Sequence, residues 1–141
     1  MRSERYLIDS NIVIYLAGDP ELLTAEVEAI LRDTTNHIYV PSKCVEELIL
    51  LQQTGKIEVK RWKSAKDIIG YITNERSYKI KYVMEDHLWK LAEIPIVNDH
   101  RDNTDRIIIA QAIVEKIPII SSDRQFPNYR RYGLKLVYNK R

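Results

Sequence analysis

Four acidic positions are distinguished by what surrounds them. Asp9 closes Leu7-Ile8-Asp9, where an apolar run carries a carboxylate to the end of a buried strand. Asp123 follows Pro118–Ser121, a second short apolar run. Asp105 lies in the first turn of an isoleucine-rich helix, inside His100-Arg101-Asp102-Asn103-Thr104-Asp105-Arg106. The fourth is Glu46 or Glu47, early in a helix that begins after Pro41, and helical periodicity does not choose between them. Clustered carboxylates repel one another and hold protons unless a cation neutralises them. Hard oxygen donors suit Mg²⁺ or Mn²⁺. The pattern points to a divalent-metal site.

Each acid also has a plainer reading. Asp102 and Asp105 form the pattern of a reciprocal helix cap, and capping is the better account of Asp102. Acids favour helix N-termini through the dipole, so Asp105 fits either role. Glu46 and Glu47 suit a solvated face, and Asp123 suits a turn in Ser-Asp-Arg. The weight comes from all of them falling on one edge.

Elements must bring them there. Arg5–Asp9 reads as a strand and Asn11–Ala17 as a short buried helix. Asp19 and Pro20 are expected to cap and open the next helix, with Leu23, Val27, Ile30 and Leu31 as its apolar stripe. His37–Val40 is a strand ended by Pro41. Ser42 is expected to cap a helix that runs to about Thr54 and stops at Gly55. Lys60–Arg76 reads as a helix with a basic face, Lys79–Val83 as a strand, and Glu85–Glu93 as a short helix. Asp102 caps a helix over Asn103–Lys116. Pro118–Ser121 and Leu134–Tyr138 are the last strands. Short, nearly continuous apolar strands alternating with helices predict a parallel sheet covered on both faces. Ligands of such sheets gather at the carboxyl ends of the strands, where helices also start, so the acids can converge.

Composition narrows the class. The chain has 141 residues, which fits one domain over 1–141, and 45% of them are hydrophobic, enough for a real core. A net charge of +2 does not by itself announce a nucleic-acid binder. Cys44 is the one cysteine, which excludes an internal disulfide and a cysteine-rich zinc site, and it reads as a small core residue. His37, His87 and His100 share no ligand spacing and read as ordinary residues. Trp62, Tyr71, Tyr78 and Tyr82 read as packing rather than a base-stacking platform. No apolar run approaches a membrane span, and Met-Arg-Ser-Glu-Arg lacks a signal peptide's apolar core, so a cytoplasmic location is expected. His100-Arg101-Asp102 matches part of a kinase catalytic loop, but Ile107 stands where that loop needs Asn, and there is no glycine-rich phosphate loop.

Basic residues are uneven. Lys56, Lys60, Arg61, Lys63, Lys66, Arg76, Lys79 and Lys81 cluster in mid-chain; Arg124, Arg130, Arg131, Lys135, Lys140 and Arg141 follow near the end. Flanking an acidic metal cluster, they would suit a polyanionic substrate.

These residues, taken in order, resemble PIN-domain ribonucleases, and within them the VapC-type toxins of bacterial toxin–antitoxin pairs, over essentially the whole chain. Leu7-Ile8-Asp9-Ser10-Asn11 is similar to the family's opening motif. Ser42 through Glu47-Leu48, with Gly55-Lys56 following, resembles its second motif and selects Glu47 over Glu46. His100 to Arg106 and the Ile108–Ala112 run resemble the His-Arg-Asp-Pro-Phe-Asp-Arg helix of one subgroup. Ile119-Ile120-Ser121-Ser122-Asp123 resembles the closing Thr-x-Asp motif. Asn11 stands where the subgroup often has His, Asn103-Thr104 replaces Pro-Phe, and Ser121 replaces Thr; these departures bear on loop shape and substrate preference. The resemblance implies a three-layer α/β/α sandwich around a central parallel sheet. It implies Mg²⁺- or Mn²⁺-dependent cleavage of RNA by activated water, and a cognate antitoxin as partner; a homodimer is also expected.

The expected site is then Asp9, Glu47, Asp105 and Asp123 as metal ligands and catalytic acids. Ser10, Asn11, Asp102, Arg106 and Ser121 are expected to support them from behind, Arg106 by pairing with the acids. Two rivals remain. A phosphoryl-receiver domain shares the size, the parallel sheet and an acidic Mg²⁺ pocket, but Ser10 occupies the place of its second acid. A catalytically silent interaction module would show no Mn²⁺ binding with all the acids intact.

Overall fold

The structure is a computed structural model that describes residues 4–141. The opening Met-Arg-Ser of the expected leaderless N-terminus lies outside the described residues.

Five strands form one parallel sheet: β1 (Arg5–Ile8), β2 (His37–Pro41), β3 (Lys79–Lys81), β4 (Ile119–Ser121) and β5 (Leu136–Tyr138), in the order β3-β2-β1-β4-β5. Helices α1 (Ser10–Gly18), α2 (Ala25–Arg32), α3 (Ser42–Gln53), α4 (Ala65–Gly70), α5 (Glu85–Glu93) and α6 (Asn103–Glu115) complete a three-layer α/β/α sandwich. The central strands are apolar because both their faces are covered. Leu7, Ile8, Ile119 and Ile120 have no exposed surface, and the register sets Leu7 beside Ile119 and Ile8 beside Ile120. Helix α6 packs all round its middle: Ile107 through Ala112 are buried in succession, Gln111 included. The Gln111 amide nitrogen donates to the backbone oxygens of Lys81 and Tyr82, at 3.2 and 3.1 Å, while its Oε1 is buried without a partner.

The chain order matters for the site. From β1 the chain winds outward through β2 and β3, then returns to the other side of β1 for β4 and β5. The direction reverses between β1 and β4, and a crevice opens at the carboxyl ends of such a pair.

Several expectations need correction. Asp19 makes no side-chain cap; Pro20–Leu22 is a single 3₁₀ turn, and α2 starts later, with Thr24 Oγ1 accepting from Val27 N at 3.2 Å. The Asp-Pro pair favours a turn as much as a helix start, and here the turn prevails. The apolar stripe of α2 stands, with Leu23, Val27 and Leu31 buried. Ser42 is the first residue of α3 rather than its cap, because the chain enters the helix directly from Pro41. The helix expected over Lys60–Arg76 is shorter: α4 is capped by Ser64 and Asp67, then widens into a π turn over Tyr71–Glu75. A 3₁₀ stretch at Phe126–Tyr132, ended by Gly133 at φ 101°, was not expected. Trp62 and Tyr71 pack edge to face in the core, whereas Tyr82 is exposed.

Candidate functional site

Asp9 follows the last residue of β1 and opens α1, and its carboxylate accepts from Ser10 N at 2.7 Å. Its backbone N–H reaches across the switch point to Ile120 O, at 3.0 Å. On the same side, Ser121 Oγ donates to Asp9 Oδ2 at 2.7 Å. The hydroxyl of Ser121 also accepts from Asp123 N at 3.0 Å, so one serine sets two of the acids against each other. Asp123 Oδ1 accepts from Gln125 N, closing the turn after β4.

Helix α3 contributes the next carboxylate. Glu47 Oε1 accepts from Ser10 Oγ at 2.6 Å, while Glu46 is exposed and paired with Lys43. Of the two neighbours, only Glu47 faces the edge. Asp105 stands in the first turn of α6, and its N–H is capped by Asp102 Oδ1 at 2.9 Å. Ser10 and Ser121 therefore touch the acids directly. Asp102 caps α6. Asn11 sits beside them on α1, with its Oδ1 buried and unpartnered.

Arg106 does not pair with the acids. Its guanidinium donates to Ile94 O, 2.7 Å away, and ties α6 to the end of α5. That carbonyl lies within the reach of a long side chain leaving the first turn of α6, and it takes the place expected of a carboxylate.

Electrostatics register the crowding. Asp9 is buried, and its pKa rises to about 6, chiefly through lost hydration, with Glu47 and Asp123 adding repulsion against the hydrogen bonds of Ser121 and Ser10. Asp105 is pushed far above the ordinary carboxylate range, first by burial, then by the charges of Asp9, Asp102 and Asp123. Among the described residues no Lys or Arg forms an ion pair with Asp9, Glu47, Asp105 or Asp123. The donors are all carboxylate oxygens, and among the described residues no Lys or Arg supplies the positive charge that would let them ionise together. A hard divalent cation fits that set.

His100 reads as an ordinary residue from the sequence, yet it touches the cluster. Its Nε2 lies 3.0 Å from Asp105 Oδ2 and its Nδ1 2.7 Å from the Tyr129 hydroxyl. Its five-residue separation from Asp105, across a cap, was the available signal. Cys44 is buried, with its thiol against Asp9 Oδ1 and its pKa raised well above normal by burial, so it stays neutral.

No three of Asp9, Glu47, Asp105 and Asp123 bring ligand atoms within 4.8 Å of one another; the group of described residues that does so lies elsewhere. Asp86, His87 and Glu115 place one ligand atom each within 4.8 Å of one another. His87 Nδ1 accepts from Met84 N at 2.9 Å, so its proton is on Nε2, donated to Glu115 Oε2 at 2.7 Å. Lys81 Nζ supplies a cation to the other oxygen of Glu115 at 3.2 Å. Both nitrogens of the ring are in use and the charge is met. This group fastens α5 to α6, about 15 Å along α6 from Asp105 at 1.5 Å per residue.

The family model described as PIN domain matches residues 6–132. The chain belongs to the PIN domain family. Solved structures agree in fold. A chain of VapBC2 from Rickettsia felis, bound to a DNA fragment from the promoter, is similar with a TM-score of 0.67 at 17% identity, covering 95% of this chain and 98% of that one. VapBC-1 from nontypeable Haemophilus influenzae gives 0.65 at 18% identity, over 96% and 98% of the chains. VapBC-5 from Mycobacterium tuberculosis, a member of the VapBC family of toxin–antitoxin systems, gives 0.59 at 14% identity, over 95% and 98%. No curated protein sequence matches this PIN chain. Among its described residues no helix is long and apolar enough to cross a membrane.

Proposed function

We propose that this PIN domain, spanning the chain, is a divalent-metal-dependent endoribonuclease of the VapC type, the toxin of a type II toxin–antitoxin pair. One observation carries the reading: an acidic cluster around the buried Asp9, at the switch point of a PIN fold, has no Lys or Arg partner among the described residues. Asp9, Glu47, Asp105 and Asp123 are the residues that would hold Mg²⁺ or Mn²⁺. When bound, such an ion activates water toward the scissile phosphorus and offsets the charge that develops there. The chain's own residues do the rest. Ser121 orients Asp9 and fixes the turn of Asp123; Ser10 orients Glu47. The exposed Arg124, next to Asp123, offers a phosphate contact for RNA. The toxin–antitoxin neighbours support an antitoxin as protein partner, and the same reading includes a homodimer and action in the cytoplasm.

The sheet order weighs against a phosphoryl receiver, whose strands run 2-1-3-4-5. The deciding experiment is transcript-end mapping after induced expression, with Asp9→Asn as control. New 5′-phosphate ends that vanish in the variant are expected. Cyclic 2′,3′-phosphates as primary products, or equal cutting by Asp9→Asn, would overturn the reading.

A further inference from the structure

We infer that His100 and Tyr129 are positioning residues that lock the Asp105 carboxylate into its place at the acidic edge; this rests on the metal-dependent reading of that edge. His100 sits in the turn before α6, 8% exposed, its backbone N–H tied to Val97 O at 2.8 Å. Tyr129 is fully buried on the 3₁₀ stretch that follows Asp123. The two rings meet edge to face at 5.5 Å between centroids. Both imidazole nitrogens are engaged, Nδ1 by the Tyr129 hydroxyl and Nε2 by Asp105.

A neutral imidazole has one donor nitrogen and one acceptor. Once a bound cation ionises Asp105, its carboxylate can only accept, so Nε2 carries the proton and Nδ1 accepts. The Tyr129 hydroxyl must then donate to Nδ1. The direction of every hydrogen bond in the row is set from one end: Tyr129 to His100, His100 to Asp105. With Oδ2 held, Oδ1 is the oxygen left to serve an ion.

The row also joins two parts of the site. Asp105 belongs to α6, whereas Tyr129 belongs to the segment that carries Asp123. A hydroxyl anchored beyond one acid thus orients the other. A carboxylate whose supporting partner is lost holds metal about 10- to 100-fold less well. A pair that merely fills the core would give another result: its loss would lower stability and leave metal affinity unchanged.

The test is Mn²⁺ titration by calorimetry of the purified chain and of Tyr129→Phe and His100→Gln. Tyr129→Phe keeps the ring and removes only the hydroxyl. His100→Gln keeps an amide N–H near the place of Nε2. Folding is checked by circular dichroism and by Tm in chelator. We expect Tyr129→Phe to raise the Mn²⁺ dissociation constant about 10- to 100-fold, with a smaller rise in His100→Gln, whose amide restores the donor. Cleavage should recover at saturating Mn²⁺ in both, so that the metal requirement moves more than the maximal rate. Wild-type binding with unchanged affinity in both folded variants overturns this inference alone. Absence of Mn²⁺ binding by the wild-type chain overturns the metal reading and this inference together.

Discussion

Asp102 and Asp105 share one helix start and do different work. Asp102 satisfies a backbone donor of α6. Its replacement by Ala should cost about 0.5–2 kcal/mol, read as a lower Tm, whereas Asp102→Asn should cap nearly as well and keep much of the activity. Asp105 is a charge crowded by others, so Asp105→Asn should abolish RNA cleavage at fixed Mn²⁺ while the metal-free fold stays as stable or gains. Cutting at the wild-type rate would remove Asp105 from the ligand set. Asp9 gives a second prediction at this scale. Its folded pKa is raised, from 3.8 to about 6, so the folded state keeps a proton that the unfolded chain releases. Stability of the metal-free protein must therefore fall as pH rises from about 4 to about 6, and the loss persists above. The Asp9 share is on the order of 3 kcal/mol at 1.36 kcal/mol per unit. Asp105 extends the decline to higher pH. Denaturant melts across pH 4–7 in chelator check this, and a flat profile would contradict it.

Among the elements, those with a strong internal pattern were legible in the sequence. Glu85–Glu93 was read to the residue, and α6 within one residue of its end, because caps and apolar runs agree there. The acids at strand ends were also legible, since a charged residue after a buried apolar run has few other places to go. What local pattern did not reveal was any choice settled by distant parts of the chain. Asp19 looked like a cap, but Asn139, far along the chain, accepts from Thr24 N at 2.7 Å and holds the turn that delays α2. Arg106 looked like a partner for acids until α5 supplied Ile94 O. His100 looked ordinary because Tyr129 is 29 residues away. The correction at α2 is testable: Thr24→Ala should cost about 0.5–2 kcal/mol and Asp19→Ala almost nothing, compared by urea denaturation.

For the whole molecule, metal should act as a stabilising ligand. At a hundredfold excess over its dissociation constant, Mn²⁺ should add about 2.7 kcal/mol, and an unchanged Tm up to millimolar metal would count against the site. The buried Asn139 is a second global element. Its side chain joins Thr24 N, Leu22 O and Ser122 Oγ, so it binds the last strand's exit to the α1–α2 turn and to the residue before Asp123. Asn139→Ala leaves these buried groups unsatisfied and should cost about 2–4 kcal/mol in urea unfolding, with a loss of cleavage at temperatures where the wild-type chain is still folded.

The Ser121–Asp9 hydrogen bond spans 112 positions of the chain. Asp9, Glu47 and Asp105 all precede β4, so a nascent polypeptide displays these acids long before the strand that gathers them has been synthesised. Contacts of such separation form late and slowly. The acidic edge is therefore complete only once synthesis has passed Asp123 and the central strands have met.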